Sequence, residues 1–211
     1  MKLTTITQVT VDGVMQGNGP SEVDRRAGFE RDGWAIGYFD DEAVTFVHEL
    51  VERADAFLFG RCTYEIFAPF WGPIDPGSDR IADAFNSKPK YLASNTLTDP
   101  GWTNTTVLSG DLTVAIKELT ADSAGELQVH GSGALIRWLL DHDLVDELGL
   151  LICPVVVGQG TRLFPDTGPD LALDLVESRP FPKGITLQVY RPAGRPEYAS
   201  APPVPSSKEQ P

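Results

Sequence analysis

Three short stretches of this 211-residue chain combine residue types that hold phosphate. Gly60-Arg61-Cys62-Thr63 joins a permissive backbone to a guanidinium and a hydroxyl. Ser94-Asn95-Thr96 offers hydroxyls and an amide. His130-Gly131-Ser132-Gly133 follows an alternating segment, Glu126-Leu127-Gln128-Val129, and runs straight into the helical spacing of Leu135, Ile136, Leu139 and Leu140. Glycines at a strand–helix junction let the backbone approach a ligand closely. The helix that follows aims its unpaired N–H groups and the positive end of its dipole at the same spot. Arginine can grip a phosphate through two parallel hydrogen bonds. Each stretch also has a plainer reading: a tight turn for Gly-x-Gly, turn residues for Ser94 and Asn95, a surface ion pair for Arg61. Taken together on one rim of an apolar sheet, the three predict a long, phosphate-rich ligand, and a dinucleotide has that length.

The commonest nucleotide motifs are missing. A Gly-x-Gly-x-x-Gly fingerprint would need a third glycine where Ile136 stands, and no acidic residue follows about 20 positions on at a strand end. A P-loop lysine is absent too. No Ser-His-Asp, Cys-His or paired-carboxylate constellation stands out, which suits chemistry carried by a cofactor. His48, His130 and His142 lack metal-ligand spacing, so no metal site is expected.

Charge narrows the partners. The formal net charge of −13 repels nucleic acid and anionic membrane, so neither is an expected partner, and any anion site must be built locally. Cys62 and Cys153 form no disulfide framework, and the first residues contain no apolar signal segment, so a reduced, cytoplasmic protein is expected. The longest apolar run, 148–157, is too short to span a bilayer and contains Pro154.

The elements that must position these residues follow from hydrophobic period. A β-rich opening with Ile6 and Val9 reaches the turn signal Asp12-Gly13. A polar covering loop is expected over 17–37, with Trp34 inside it. Asp40 and Asp41 can cap a helix whose buried face would carry Val44, Val47, Val51 and Ala54. Ala56-Phe57-Leu58-Phe59 suits a strand covered on both faces. A short helix through Tyr64, Ile66 and Phe67 should stop at Pro69, and another should run through Ile81, Ala82 and Phe85. Strands are expected at 91–93, 105–108 and 126–130, and a helix through Leu112, Ile116 and Leu119. The run 148–157 reads as one strand or as two divided at Pro154. Two alternating runs, around Leu173 and Leu187, flank a Pro182-Lys183-Gly184 turn and form a hairpin. The resulting fold class is α/β, a mostly parallel mixed sheet flanked by helices, with a C-terminal antiparallel hairpin. One domain is expected over 1–194, followed by a disordered Pro- and Ser-rich tail over 195–211.

At this point the motifs acquire a family. Phe59-Gly60-Arg61-Cys62-Thr63-Tyr64-Glu65 resembles the Gly-Arg-x-Thr-[Tyr/Trp]-Glu signature of the dihydrofolate reductase superfamily. Asp12-Gly13, Val129-His130-Gly131-Ser132-Gly133, Leu144-Val145-Asp146-Glu147-Leu148 and Pro154-Val155-Val156-Val157-Gly158-Gln159-Gly160 resemble the branch that includes the C-terminal reductase domain of bacterial riboflavin biosynthesis. These motifs cover the chain to about position 191. The resemblance implies a dihydrofolate-reductase-like fold and a homodimeric or monomeric reductase that uses NADPH; a homodimer is the expectation here. It implies that Gly60, Arg61 and Thr63 hold the adenosine 2′-phosphate or the pyrophosphate, and that Ser94 and Asn95 line the adenosine side. Gly131, Ser132 and Gly133 would receive the pyrophosphate on the helix N-terminus, with Leu135 beside them. Asp12 and Gly13 would lie near the nicotinamide. Asp40, with Asp41, occupies the region where true dihydrofolate reductases carry their folate-anchoring acid. Asp12 and Asp40 are thus the candidate catalytic residues, and His130 is a further candidate proton donor. The implied reaction is hydride transfer to a C=N or C=O group of a small pterin- or pyrimidine-like molecule. The alternative is a nucleotide-binding protein of the same fold without turnover.

Overall fold

A computed structural model describes residues 1–19, 24, 26–121 and 124–199. One eight-stranded sheet organises them, with strand order β4-β3-β2-β5-β1-β6-β8-β7. The strands are β1 (Lys2–Thr10), β2 (Ala56–Gly60), β3 (Lys90–Ala93), β4 (Thr105–Leu108), β5 (Glu126–His130), β6 (Glu147–Cys153), β7 (Leu173–Pro180) and β8 (Thr186–Pro192). β4 through β6 pair in parallel, and β8 and β7 add an antiparallel edge. This is the expected mixed sheet with its C-terminal hairpin, closed by the Gly184 N–H donating to the Phe181 carbonyl at 2.9 Å.

Burial explains the central strands. Phe57, Leu58 and Phe59 are fully buried, because helices cover both faces of β2. On one face lie α1 (Asp41–Arg53), α2 (Arg61–Trp71) and α3 (Arg80–Ser87), packed over Phe57, Phe59 and Leu92 with Phe85 and Trp102. On the other lie α4 (Leu112–Ala121) and α5 (Gly133–Asp141), packed over Leu3, Leu58, Leu127 and Val129. Among the described residues no helix is long and apolar enough to cross a membrane.

Some local expectations change. α2 continues through Pro69 to Trp71. Proline forfeits only the bond to the carbonyl one turn back, at Glu65, which is exposed enough for water to satisfy it. The buried stripe of α1 runs through Ala43, Leu50 and Val51, while Val44 is 38% exposed, because the helix sits over two core clusters at once. The run 148–157 is a single strand, β6, that stops before Pro154. Of the expected tail, residues 195–199 are described. Arg195 and Tyr198 both bond the Asp170 carboxylate, at 2.7 and 3.0 Å.

Candidate active site

Every parallel strand ends on the same edge of the sheet, and a cleft of about 830 Å³ runs along it. Gly60, Arg61, Thr63, Ser94, Asn95, Gly131, Ser132, Gly133 and Leu135 all line this cleft. Three segments far apart in sequence therefore meet because parallel β–α crossovers return each strand end to one rim.

Two helix N-termini converge on the cleft floor. α2 begins after Gly60 and α5 after Ser132, and neither has a side-chain cap. Their first N–H groups therefore lack the usual hydroxyl or carboxylate acceptor. The two termini are stitched together. The Gly60 N–H donates to Ser132 Oγ at 3.0 Å, and the Ser132 N–H donates to Thr63 Oγ1 at 2.8 Å. Ser132 reaches this position only by adopting a left-handed conformation, φ 57°, directly after Gly131 at φ 55°. Such strain in a serine is held by the two bonds it makes. Gly131 also donates to the Ile6 carbonyl at 3.1 Å, which fixes the turn to the central strand.

The residues expected on the adenosine side are more exposed. Arg61 Nε meets Glu65 Oε1 at 2.6 Å, and its Nη1 donates to Thr96 Oγ1 at 2.6 Å. Half-exposed pairs of this kind are weak and exchange readily. Ser94 Oγ accepts from the Leu97 N–H at 3.0 Å and forms a turn, with Asn95 exposed beside it.

The other half of the cleft is apolar. Ile6, Val47, Leu50, Phe67, Trp71 and Leu151 line it. His130 marks the boundary, stacked edge-on against Phe57 and Phe85. Gln128 Nε2 donates to the Leu50 carbonyl at 2.8 Å, so Gln128 Oε1 faces His130 Nε2, 2.9 Å away. An amide oxygen can only accept, which assigns the proton to Nε2. Burial lowers the His130 pKa to about 4, so the ring is neutral at pH 7. Thr7 also lines the cleft, and its Oγ1 is buried without a hydrogen-bond partner.

Asp12, Gly13 and Asp40 do not line the cleft. Asp12 accepts from Thr10 Oγ1 at 2.5 Å and from the N–H groups of Val157 and Gly158 at 3.1 and 2.8 Å. These bonds, led by that of Thr10, lower its pKa to about 2. Gly13 takes φ 78° in the turn, and its carbonyl accepts from Leu163 at 3.0 Å. Asp40 caps α1 through Ala43 at 2.9 Å and accepts from Lys183 N at 2.9 Å. Those backbone bonds hold its carboxyl below the usual range.

Gln16 is a cleft residue that no motif announced. It is buried, with Nε2 donating to the Arg26 carbonyl at 2.9 Å and Oε1 accepting from Thr161 N at 3.0 Å. It thereby ties the covering loop to the segment after β6. Arg26 lines the cleft as well and is locked to Asp24 by two bonds, at 2.6 and 2.7 Å. The only hint in sequence was a glutamine beside a polar loop.

Residues 1–187 match the family model described as the RibD C-terminal domain. The chain belongs to the RibD C-terminal domain family. The chain is similar to the uncharacterized Bacillus subtilis protein YyaP, 27% identical over 86% of this chain and 90% of that one. A second uncharacterized Bacillus subtilis protein, YwjB, is 21% identical over 72% of this chain and 83% of that one. Among solved structures, a putative riboflavin biosynthesis protein from a Shewanella species superposes with a TM-score of 0.65 at 24% identity, covering 92% of this chain and 99% of that one. A dihydrofolate reductase from Enterococcus faecalis, complexed with NADP(H), gives 0.57 at 14% identity, with coverages of 90% and 96%. A pyrimidine reductase-like protein from Corynebacterium diphtheriae gives 0.61 at 14% identity, with coverages of 91% and 92%. The RibD C-terminal domain fold of this chain is therefore a reductase-type, dihydrofolate-reductase-like fold.

Proposed function

We propose that this protein is an NADPH-dependent reductase acting on a C=N or C=O group of a small heteroaromatic, pterin- or pyrimidine-like molecule. The observation that carries the reading is the continuous cleft, with two uncapped helix N-termini in one half and an apolar, aromatic wall in the other. Three features fit a bound dinucleotide: the unpaired N–H groups, the orphaned Thr7 hydroxyl, and the positive-φ Gly131 at the floor. The nicotinamide-bearing dihydrofolate reductase neighbour and the pyrimidine reductase-like neighbour support the same direction.

When bound, NADPH would supply the hydride. Gly131, Ser132 and Gly133 would hold the pyrophosphate on the α5 terminus, with Gly60 and Thr63 bracing it and Leu135 packed behind. Arg61 would exchange Glu65 and Thr96 for the adenosine 2′-phosphate, flanked by Ser94 and Asn95. The apolar half would orient a flat ring and exclude water around it. Neutral His130 would shape this boundary rather than donate a proton, and solvent would protonate the product. Asp12 and Asp40 would act as positioning residues, holding 157–158 and α1. Two free thiols, one exposed and one buried, fit a reducing cytoplasm.

Titration with NADPH and NADH, read by Trp fluorescence, tests the cofactor. Loss of nicotinamide absorbance with a panel of pterins and aminopyrimidine ribitol compounds tests turnover. Absence of NADPH binding would sink the proposal. Binding with no turnover across the panel would favour a nucleotide-binding protein of the same fold.

A further inference from the structure

Among the described residues three arginines line the cleft, and two of them hold acids: Arg26 pairs with Asp24, and Arg61 with Glu65. Arg137 pairs with none. Its one bond runs from Nη1 to the Leu163 carbonyl, at 2.9 Å. The side chain leaves the second turn of α5 and reaches back over the first, the direction in which helical side chains lean. A Cβ built on Gly133 would lie 3.3 Å from Arg137 Nη1 and 2.5 Å from Met15 Sδ, so glycine leaves room for both. This is the wrong end of a helix for a cation. The first N–H groups of α5 already carry partial positive charge, and no side-chain cap offsets it. In a chain of net charge −13, the arrangement costs stability until an anion arrives. A second observation lies beneath it. Thr7 shares its face of β1 with Leu3 and Val9, which pack with Leu135 and Ile136 of α5. The Thr7 hydroxyl lines the cleft, buried and without a hydrogen-bond partner. Next to it, the Ile6 carbonyl holds the Gly131 N–H at 3.1 Å, so the hydroxyl stands below the same helix end.

We propose that Arg137 clamps the diphosphate of a dinucleotide against the N-terminus of α5. The inference rests on the coenzyme reading above and adds to it a residue that decides which phosphate goes where. Arg61 follows β2 and reaches Thr96, beyond β3; Arg137 follows β5 and reaches Leu163, beyond β6. In the strand order β3-β2-β5-β1-β6 they stand on opposite sides of the Gly60–Ser132 and Ser132–Thr63 bonds that join the two helix ends. Two guanidiniums flanking one pair of helix ends suit a ligand with two separate phosphate groups, the diphosphate at Arg137 and the 2′-phosphate at Arg61. Nε and Nη2 of Arg137, without partners among the described residues, supply the donors, while Nη1 keeps the Leu163 carbonyl.

Fluorescence titration of the full chain with NADPH and with NADH tests it. Arg137→Gln removes the charge and keeps an N–H donor for the Leu163 carbonyl, with thermal melting as the check on folding. It should weaken both coenzymes at least about tenfold and by the same factor, because both carry the diphosphate. Arg61→Gln should weaken NADPH and leave NADH unchanged. Arg137→Lys restores the charge without the fork and should recover part of the affinity. The loss in Arg137→Gln should shrink as salt rises from about 50 to about 500 mM, which a purely structural role would not produce. If Arg137→Gln binds both coenzymes as the unmodified chain does, or loses NADPH alone, the proposal is overturned and the reductase reading stands. Inorganic pyrophosphate, read by the shift in melting temperature, separates the two ideas from the other side. A chain that binds neither coenzyme, yet is stabilised by pyrophosphate only while Arg137 is present, keeps the anion clamp and loses the reductase. A chain that responds to no coenzyme and to no pyrophosphate overturns both.

Discussion

Replacing Gly131 with Asp tests the heart of the proposed cofactor site when Gly131→Asn serves as its partner. Gly131 has φ 55°, a conformation that Asn and Asp tolerate better than other L residues. A Cβ there would lie 3.4 Å from Thr63 Oγ1, a contact that asks for only a small adjustment. Both variants therefore carry the same backbone strain, of order 1 kcal/mol, and nearly the same shape. They differ by one negative charge beside the α5 terminus. A carboxylate about 4 Å from a phosphate costs about 1 kcal/mol in a water-like surrounding and about 4 kcal/mol at an effective dielectric of 20. NADPH should thus bind Gly131→Asp roughly 5-fold to roughly 1000-fold more weakly than Gly131→Asn. Calorimetric or fluorescence titration measures the ratio, with thermal melting as the check that both variants fold alike. The gap should narrow with added salt. Equal affinities in the two variants would refute the placement of a phosphate at this terminus.

Other expectations follow from the same structure. Thr63→Val removes the acceptor of the Ser132 N–H; a stability loss of about 1 kcal/mol by denaturant titration is expected, together with weaker NADPH binding, and an unchanged affinity would separate this bond from the cofactor. The His130 pKa, depressed from 6.5 to about 4, means that the unfolded chain binds the extra proton between those values, so stability should rise as pH goes from about 4 to 6.5. That slope should flatten in His130→Gln. Asp12 works in the same direction at lower pH: its contribution is present above 3.8 and is lost as pH falls through about 2. Lys90 is fully buried, donating to the carbonyls of Phe85 and Lys88 at 2.6 and 3.0 Å with Trp102 at 4.8 Å, and desolvation lowers its pKa to about 8. Folding should therefore become more favourable from pH 8 to 10.5, where only the unfolded chain stays protonated, and Lys90→Met should abolish that rise in melting temperature.

Local chemistry wrote much of this protein into its sequence. The continuous apolar run at β2, the alternation at β5, and the Pro182-Lys183-Gly184 turn specify their elements because hydrophobic period and turn conformation are properties of neighbouring residues. Gly60, Gly131 and Gly133 marked the strand–helix junctions that line the cleft for the same reason, and of the three Gly131 alone takes a positive φ. The acids were legible in part. Asp40 caps α1 as its place before the helix implies, and Asp12 accepts from Thr10 two residues away, both local contacts. Their further partners, the N–H groups of Val157, Gly158 and Lys183, lie about 145 residues away. Gln16 joins two loops in the same long-range way. Only the packed sheet determines which distant groups meet, because each such partner is set by strand order and register across the whole domain.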